Sequence, residues 1–334
     1  MHVLVGDIGG TNTRLLYAEI KERKIIFLFE KNYLSKNFKS FTDVLNRYIA
    51  DYGKTFSIDA ACFAIAGPVE NGTVAVTNLP WLINENELKE KLNTFRVHLI
   101  NDFMAVAYGI PELKESDVVV LQNGENIPSE IPMDSAVIGA GTGLGASHLV
   151  YINDVFHPLS SEVGHTGFAP ENSLQSKLLI WMQTKYSHVS LESILSGDGL
   201  LHIYHFLREE MEIHESEFVK KEMKTTDPSA IITKYALSGE DELCQQTLNC
   251  FIEIYGAAAG NVALNYYPIS ELYIAGGIAA KVKSKIMGQN FIDAFVNKGL
   301  LSSIMKKITV KLILQEKIGL YGALAKFKLM CKEE

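Results

Sequence analysis

The sequence predicts an α/β protein built as two domains with a cleft between them. Three observations carry that expectation. Glycine-rich hairpins of similar make occur at residues 9–12 and 139–145, about 130 residues apart, as two related halves would produce. Short apolar runs alternate with segments of helical period along the chain. The 334 residues suffice for two domains of ordinary size, and no Pro- or Ser-rich linker separates them, so rigid elements are expected to join them.

Residues 1–14 read MHVLVGDIGGTNTR. Apolar Val3 to Val5 lead into Gly6, Asp7, Gly9, Gly10, Thr11 and Asn12, and apolar residues resume at Leu15 and Leu16. This is a strand, a Gly-rich turn and a second strand. Glycine permits positive φ and close approach to a ligand. Successive N–H groups in such a turn form an anion-binding concavity. Asp7 stands at its mouth, where a carboxylate can hold hydrated Mg²⁺. The same composition also serves any tight hairpin. Residues 136–147, AVIGAGTGLGAS, repeat the pattern before HLVYI. Two better-known phosphate loops are excluded. A G-x-G-x-x-G from Gly139 meets Leu144 at its last position, and Gly53-Lys54-Thr55 has Tyr48 where a Walker loop needs Gly.

The remaining elements follow from period and punctuation. Strands are expected at 3–7, 14–20 and 25–31, and a helix at 41–52. Residues 59–66, DAACFAIA, are a buried strand ended by Gly67-Pro68. A strand at 72–77, a short helix at 84–92, a strand at 97–100 and a helix from Asp102 to Pro111 come next. After Ile110 helices dominate, at 173–186, 199–211, 227–237 and 240–266. The third opens with Asp227 as cap and Pro228 at its first position. The last carries Gly256, Ala257, Ala258, Ala259 and Gly260, small enough to admit a neighbouring backbone. A strand at 272–275 ends in Gly276-Gly277, a helix starts near Ala279, and 308–314 and 319–329 are the last strand and helix.

Composition narrows the function classes. The chain is 47% hydrophobic and 21% charged, ordinary for a large core. A net charge of −8 argues against nucleic-acid or anionic-membrane binding. Lys220, Lys221 and Lys224 cluster, but Glu217 and Glu222 interleave them, as on a solvated helix face. Cys62, Cys244, Cys250 and Cys331 form no C-x-x-C pair. That points to a reducing, cytoplasmic setting without a disulfide framework or a Cys-rich zinc site. The first strand begins almost at Met1, so no signal peptide is expected, and no apolar run reaches about 18 residues, so no membrane span is expected.

Four places carry chemistry. Asn101 and Asp102 stand where a strand ends and a helix begins, the end that faces the ligand crevice in α/β sheets. Asp102 either takes a proton from a substrate hydroxyl or caps the helix. Glu162 and His165, beside Gly164, either pair as hydrogen-bond groups for vicinal hydroxyls, ligate a metal, or stand solvated in a loop. Glu192 follows Ser190, which reads as an N-cap, so Glu192 sits in a first helical turn. Gly276 lies in a small-residue turn that either admits a flat ring such as adenine or simply joins strand to helix.

In order along the chain, residues 7–12, 139–145 and 275–277 resemble the phosphate-1, phosphate-2 and adenosine motifs of the sugar kinase, heat-shock 70 and actin superfamily. Within it the chain closely resembles the bacterial glucokinase family. The match runs through VGDIGGTNTRL, AIAGPV, TNLPW, INDF, GAGTGLG, EVGH, FAP, ILSGDGL, AGNVALN and IAGGI. The resemblance implies a two-domain actin-like ATPase (ribonuclease H-like) fold. Its small α/β domain would span 1–106 plus 317–334, and its large α/β domain 107–316. It implies ATP-dependent phosphorylation of D-glucose at the 6-hydroxyl, Mg²⁺ dependence and a homodimer. Asn101 and Asp102 would contact the sugar, with Asp102 as general base. Glu162 and His165 would bind ring hydroxyls, and Glu192 would complete the pocket. Gly9, Gly10, Thr11, Asn12, Gly141, Thr142 and Gly143 would line the phosphate path, Asp7 would hold Mg²⁺ through water, and Gly276 would lie near the adenosine.

The neighbouring ROK family also carries Glu-x-Gly-His but follows it with a Cys-rich zinc motif. Residues 166–186 contain no Cys, so no zinc is expected and His165 reads as a sugar ligand. Ser161 replaces the Gly usual before Glu162 in the glucokinase pattern, which removes no named ligand. Three rival functions remain at this stage. A non-catalytic sugar sensor of the repressor type would need an N-terminal DNA-binding domain, for which Asp7 leaves no room. A nucleotide switch would not need Asn101, Asp102, Glu162, His165 and Glu192 together. A hexokinase preferring mannose or fructose fits the same residues.

Overall fold

A computed structural model describes residues 1–21, 24–125 and 133–333, with the side chains of residues 330–333, Cys331 among them, outside the description. Its contacts divide the chain into two units. The first holds Met1–Lys114, Val155–Ser160 and Gln315–Glu334, and the second holds Glu115–Asp154 and Ser161–Leu314.

The first unit is built on β1 (His2–Ile8), β2 (Asn12–Lys21), β3 (Lys24–Leu34), α1 (Phe41–Tyr52) and β4 (Ala60–Ile65). A small hairpin of β5 (Thr73–Ala75) and β6 (Leu82–Asn84) follows, then α2 (Glu85–Leu92), β7 (Val97–Asn101) and α3 (Asp102–Gly109). The sheet order is β3-β2-β1-β4-β7. β1 and β2 are antiparallel, whereas β1, β4 and β7 run parallel. All six residues of β4 are buried, as expected of a parallel strand covered on both faces. Side-chain alternation divides the core in two. Leu4, Ile8, Ala61, Phe63 and Leu99 join Phe41, Val44 and Leu88 on one face. Val3, Val5, Cys62 and Ala64 join Leu320, Leu324 and Phe327 of the C-terminal helix on the other.

Helix α1 spans the expected residues for local reasons. The Ser40 side chain accepts from the Asp43 N–H, and Gly53 at φ 65° closes the last turn in the left-handed region. The tempting Gly53-Lys54-Thr55 is therefore a helix stop. In the C-terminal helix, a Cβ on Gly322 would lie 1.6 Å from the Ala105 carbonyl oxygen, so glycine is what lets that helix reach the α3 backbone.

The second unit contains β8 (Val118–Gln122), β9 (Ser135–Ala140) and β10 (Leu144–Ile152), with β11 (Val155–Ser161) next in the chain. Helices α4 (Ser173–Gln183), α5 (Gly197–Glu209), α6 (Glu217–Glu222), α7 (Pro228–Ser238) and α8 (Glu242–Asn265) precede β12 (Glu271–Ala275). The short α9 (Gly277–Lys281), α10 (Lys283–Ile286), α11 (Gln289–Val296) and α12 (Ser302–Met305) lead to β13 (Thr309–Ile313), and α13 (Ile318–Glu333) is the C-terminal helix of the first unit. The strands of the second unit run β10-β9-β12-β13-β8. Small residues of α8 act as the sequence suggests. A Cβ on Gly256 would lie 2.2 Å from the Phe291 carbonyl oxygen of α11, and one on Gly260 2.6 Å from that of Phe295.

Two expectations are corrected here. No helix begins at Ser190. Residues 190–196 form turns in which the Ser190 hydroxyl accepts from the Ser193 N–H, and α5 starts only after Ser196, whose side chain accepts from the Gly199 N–H. The cap motif is real, and the Leu195 N–H bonds back to the Leu191 carbonyl, but the chain stops after this one turn at Ser196, whose extended backbone (φ −152°, ψ −178°) ends it and caps α5. The helix expected over 173–186 ends at Gln183, where the Thr184 hydroxyl donates to the Trp181 carbonyl. The Lys220 and Lys221 side chains do lie exposed on α6. Among the described residues no helix is long and apolar enough to cross a membrane, and Cys62, Cys244 and Cys250 are free and buried.

Candidate active site

The first unit gathers its candidates at the carboxyl ends of its parallel strands. Ile8 pairs with Ile65, and Ile65 with Asn101, so β1, β4 and β7 end in one row. Ligands bind outside that edge in open α/β sheets. The β1–β2 turn leaves from the row at Gly9, and α3 leaves from it at Asp102.

Asn101, not Asp102, caps α3. Its Oδ1 accepts from the Phe103 N–H at 2.9 Å and the Met104 N–H at 3.2 Å, and its Nδ2 donates to the Gly67 carbonyl at 3.2 Å. The cap must have extended backbone, and Asn101, last residue of β7 at φ −63° and ψ 147°, has it. Asp102 is already helical, half-buried, with Oδ1 accepting from the Phe103 N–H at 2.9 Å.

The turn itself is held tightly. The Gly9 N–H donates to the Asn12 carbonyl at 2.9 Å. Ser35, which no local pattern marks, braces it from behind. Its hydroxyl donates to the Gly9 carbonyl at 2.8 Å and its N–H to the Thr11 carbonyl at 3.0 Å. The buried Thr13 and Ser35 hydroxyls pair at 3.0 Å. Neither Gly9 nor Gly10 has positive φ, contrary to the reason first given for glycine there. Close approach supplies the reason at Gly10, where a Cβ would lie 3.2 Å from the Thr77 carbonyl oxygen. The Asn12 Oδ1 accepts from the Asn32 side chain at 3.2 Å, and Thr11 is exposed.

Asp7 faces Arg14 across the β1–β2 ladder. Burial raises its carboxyl above the ordinary carboxylate range, and the Arg14 charge only partly offsets this. A Cβ on Gly319 would lie 3.3 Å from Asp7 Oδ2, so the first turn of α13 comes up against this carboxylate. A desolvated carboxylate of this kind suits a cation. Among the described residues no three His, Cys, Asp or Glu side chains are grouped to cage a metal. The Asp7 carboxylate is the group at this turn whose chemistry fits a hard cation that takes oxygen ligands, such as Mg²⁺.

The second unit assembles its own group around the β9–β10 turn. The Gly141 N–H donates to the Gly143 carbonyl at 2.8 Å, and the Gly197 N–H at the start of α5 donates to the Gly141 carbonyl at 3.0 Å. Nothing lies within 4 Å of where a Gly141 Cβ would stand, and Thr142 is exposed, so the turn has an open side. Glu192 closes the other side. Its Oε2 accepts from the Leu144 N–H at 2.8 Å and would lie 2.5 Å from a Cβ on Gly143.

Backbone bonds tie the remaining candidates to this turn. The Glu192 N–H donates to the Gly164 carbonyl at 2.8 Å, and the His165 N–H to the Glu162 carbonyl at 3.0 Å. A Cβ on Gly164 would lie 2.2 Å from the Leu144 carbonyl oxygen, so only glycine lets this loop meet the hairpin. Glu162 and His165 are exposed. Gly276 has φ 91°, and a Cβ there would lie 2.2 Å from the Ala140 carbonyl oxygen. Gly276 thus abuts the root of the second glycine turn. Glu162, His165, Glu192, Gly141–Gly143 and Gly276 form one connected constellation in this unit, and Asp7, Gly9–Asn12, Asn101 and Asp102 another in the first.

Comparison with known proteins gives a consistent result. Residues 4–330 match the family model described as Glucokinase. The glucokinase of Nostoc sp. (strain PCC 7120) is 39% identical over 335 aligned residues, covering 96% of this chain and 97% of that protein. The crystal structure of glucokinase from an Antarctic psychrotroph is 34% identical, with a TM-score of 0.79 over 98% of this chain and 99% of that one. That of Balamuthia mandrillaris glucokinase, solved in complex with glucose, has a TM-score of 0.79 at 20% identity, over 97% and 92% of the two chains, a likeness of fold.

Proposed function

The chain belongs to the glucokinase family, a hexose phosphotransferase with the actin-like two-domain fold, and from that premise we propose that it transfers the γ-phosphoryl of ATP to the 6-hydroxyl of D-glucose. The observation that carries the assignment of roles is the row Ile8–Ile65–Asn101, which starts a glycine turn and the Asp102 carboxylate from one sheet edge. In this reading Asn101 and Asp102 bind the sugar. Asp102 accepts the 6-hydroxyl proton as the oxygen bonds to the γ-phosphorus. The bond from that phosphorus to the bridging oxygen breaks, and ADP leaves with the electron pair.

Glu162, His165 and Glu192 receive the ring hydroxyls. With Oε2 committed to the Leu144 N–H, Glu192 has its other oxygen for a hydroxyl. A sugar lacking a matched hydroxyl leaves such groups unpaired, which is the source of selectivity. The two glycine turns, Gly9–Asn12 and Gly141–Gly143, line the phosphate path, with the Gly9 and Gly141 N–H groups already bonded within the turns that they shape, and Gly276 lies beside the adenosine. Asp7 would hold Mg²⁺ through water, and the ion supplies neutralisation of phosphate charge when bound. A cytoplasmic homodimer completes the reading, and sedimentation equilibrium checks the dimer.

The deciding experiment is a panel of hexoses with ATP, read by ADP release. Glucose is expected to give the highest kcat/KM. Preference for mannose or fructose reassigns the substrate, and no turnover with any hexose rejects the enzyme reading. Activity is expected to need Mg²⁺ and no transition metal. Stoichiometric zinc whose removal abolishes turnover would contradict the role given to His165.

A further inference from the structure

Tyr255 of α8 takes no part in the chemistry above, yet its hydroxyl lies at the root of two turns that do. β9 and β12 run parallel, with Ala275 opposite Gly139 as their last partners. Beyond that pair they part, β9 into the Gly141 turn and β12 into Gly276 at φ 91°. Backbone groups at such a parting lose their ladder partners and need others when buried. The Tyr255 hydroxyl supplies them. It accepts from the Ala140 N–H at 3.1 Å and donates to the Ala275 carbonyl at 3.1 Å, with the Ile138 carbonyl farther off at 3.5 Å. A phenol can do both at once. Ala140 immediately precedes Gly141, and Ala275 immediately precedes Gly276.

The side chain is fixed in place. Tyr255 is fully buried, and its ring meets Phe251 and Phe291 edge-on at centroid distances of 6.0 and 5.7 Å. Burial raises the phenol pKa, so the hydroxyl remains a donor. Phenylalanine would fill the same space, so what the position uses beyond packing is the oxygen.

We propose that Tyr255 is a positioning residue for the nucleotide, whose hydroxyl locks the second glycine turn and the Gly276 turn at one fixed separation. The proposal rests on the reading that these two turns hold ATP. The test is Tyr255→Phe, with steady-state kinetics varied separately in ATP and glucose. Removing the oxygen leaves two buried backbone groups unpaired, so the KM for ATP is expected to rise about tenfold. The KM for glucose should change by less than about twofold, since the groups assigned to the sugar keep their partners.

Phe251→Leu serves as the packing control. It loosens the ring's surroundings and keeps the hydroxyl, and it should lower Tm with the KM for ATP unchanged. A folded Tyr255→Phe enzyme with parental KM for ATP overturns the proposal, as does a Phe251→Leu enzyme with the same rise. Gly141→Ala separates the two levels of inference, because its Cβ would stand on the open side of the turn with no protein atom within 4 Å. If it raises the KM for ATP and Tyr255→Phe does not, Tyr255 is only structural. If neither moves it, the nucleotide reading of the turns fails as well. Should Tyr255→Phe not fold, 3-fluorotyrosine at position 255 keeps ring and hydroxyl, weakening the bond accepted from the Ala140 N–H and strengthening the one donated to the Ala275 carbonyl. A change of about twofold in the KM for ATP, with the KM for glucose unmoved, is then expected, and no change overturns the proposal.

Discussion

At the scale of single residues, the cap and the base are separate side chains. Asn101 holds the first N–H groups of α3, so Asp102 is not needed to start the helix. Asp102→Asn should therefore leave Tm within about a degree or two of the parent, since the amide has the same size, keeps an oxygen for the Phe103 N–H and leaves the Asn101 cap in place. It should lower kcat by roughly a hundred- to ten-thousandfold, because the amide cannot accept the hydroxyl proton. The KM for glucose should move less. A folded variant keeping more than about a tenth of parental kcat would falsify the base role. Asp51 gives a pH test outside the site. Lys31, then Tyr33 and Arg47, hold its carboxyl down at about 2, through contacts of 2.8 Å to Lys31 Nζ, 2.7 Å from Tyr33 Oη and 3.1 Å to Arg47 Nε. Its folded value lies below the unfolded one, so its stabilisation is present above about pH 4 and fades as pH falls toward 2. Asp51→Asn should lower the urea midpoint at pH 7, and the gap to the parent should narrow steadily below about pH 4. Asp102 and Asn101 were legible as a pair at a strand end, but which of them caps depends on one residue of backbone geometry. Ser35 was not legible at all, because the turn it braces lies some twenty residues away in sequence and nothing beside it repeats or alternates.

At the scale of elements, glycines act mainly by letting backbones and side chains meet. Gly143→Ala would bring a Cβ to 2.5 Å from Glu192 Oε2. That oxygen is the end of a side chain, so the fold should survive, with Glu192 displaced from the Leu144 N–H. The expected result is a Tm within a few degrees of the parent and a raised KM for both substrates, read from the same kinetic panel. Gly322→Ala differs in kind. Its Cβ would meet the Ala105 carbonyl oxygen at 1.6 Å, so α3 and α13 must separate. Overpacking of this sort typically costs about 1–3 kcal/mol, and a backbone clash belongs at the upper end. The denaturation midpoint should fall accordingly. Most elements were readable from local pattern. α1 has the bounds its spacing gave, with Ser40 and Gly53 as its stops. The region of Glu192 was misread because a correct cap signature, Ser190, opens only one turn before the extended Ser196 ends it and caps α5.

At the scale of the whole molecule, a ligand that binds only the native state raises Tm by mass action. At a hundredfold excess over its Kd the gain is about 2.7 kcal/mol. Glucose should therefore raise Tm in differential scanning fluorimetry, and Asp102→Asn should keep much of that shift while losing turnover. No shift with millimolar glucose and a clear one with another hexose would reassign the sugar. The sequence by itself determined the α/β class, the two glycine turns, the family and the residues proposed for the site, because each is carried by residues adjacent in the chain, where spacing and side-chain chemistry act directly. Tertiary structure decided the rest. It put Asn101 rather than Asp102 at the cap, seated Glu192 on the second glycine turn, placed Ser35 behind the first, brought Gly319 against Asp7 and set the Tyr255 hydroxyl between Ala140 and Ala275. Apart from the cap, which turns on where β7 ends, each of these joins groups far apart in the chain through a hydrogen bond or a close contact. Such pairings exist only once the sheets have set their register, and register is a property of strands paired with one another rather than of any one segment.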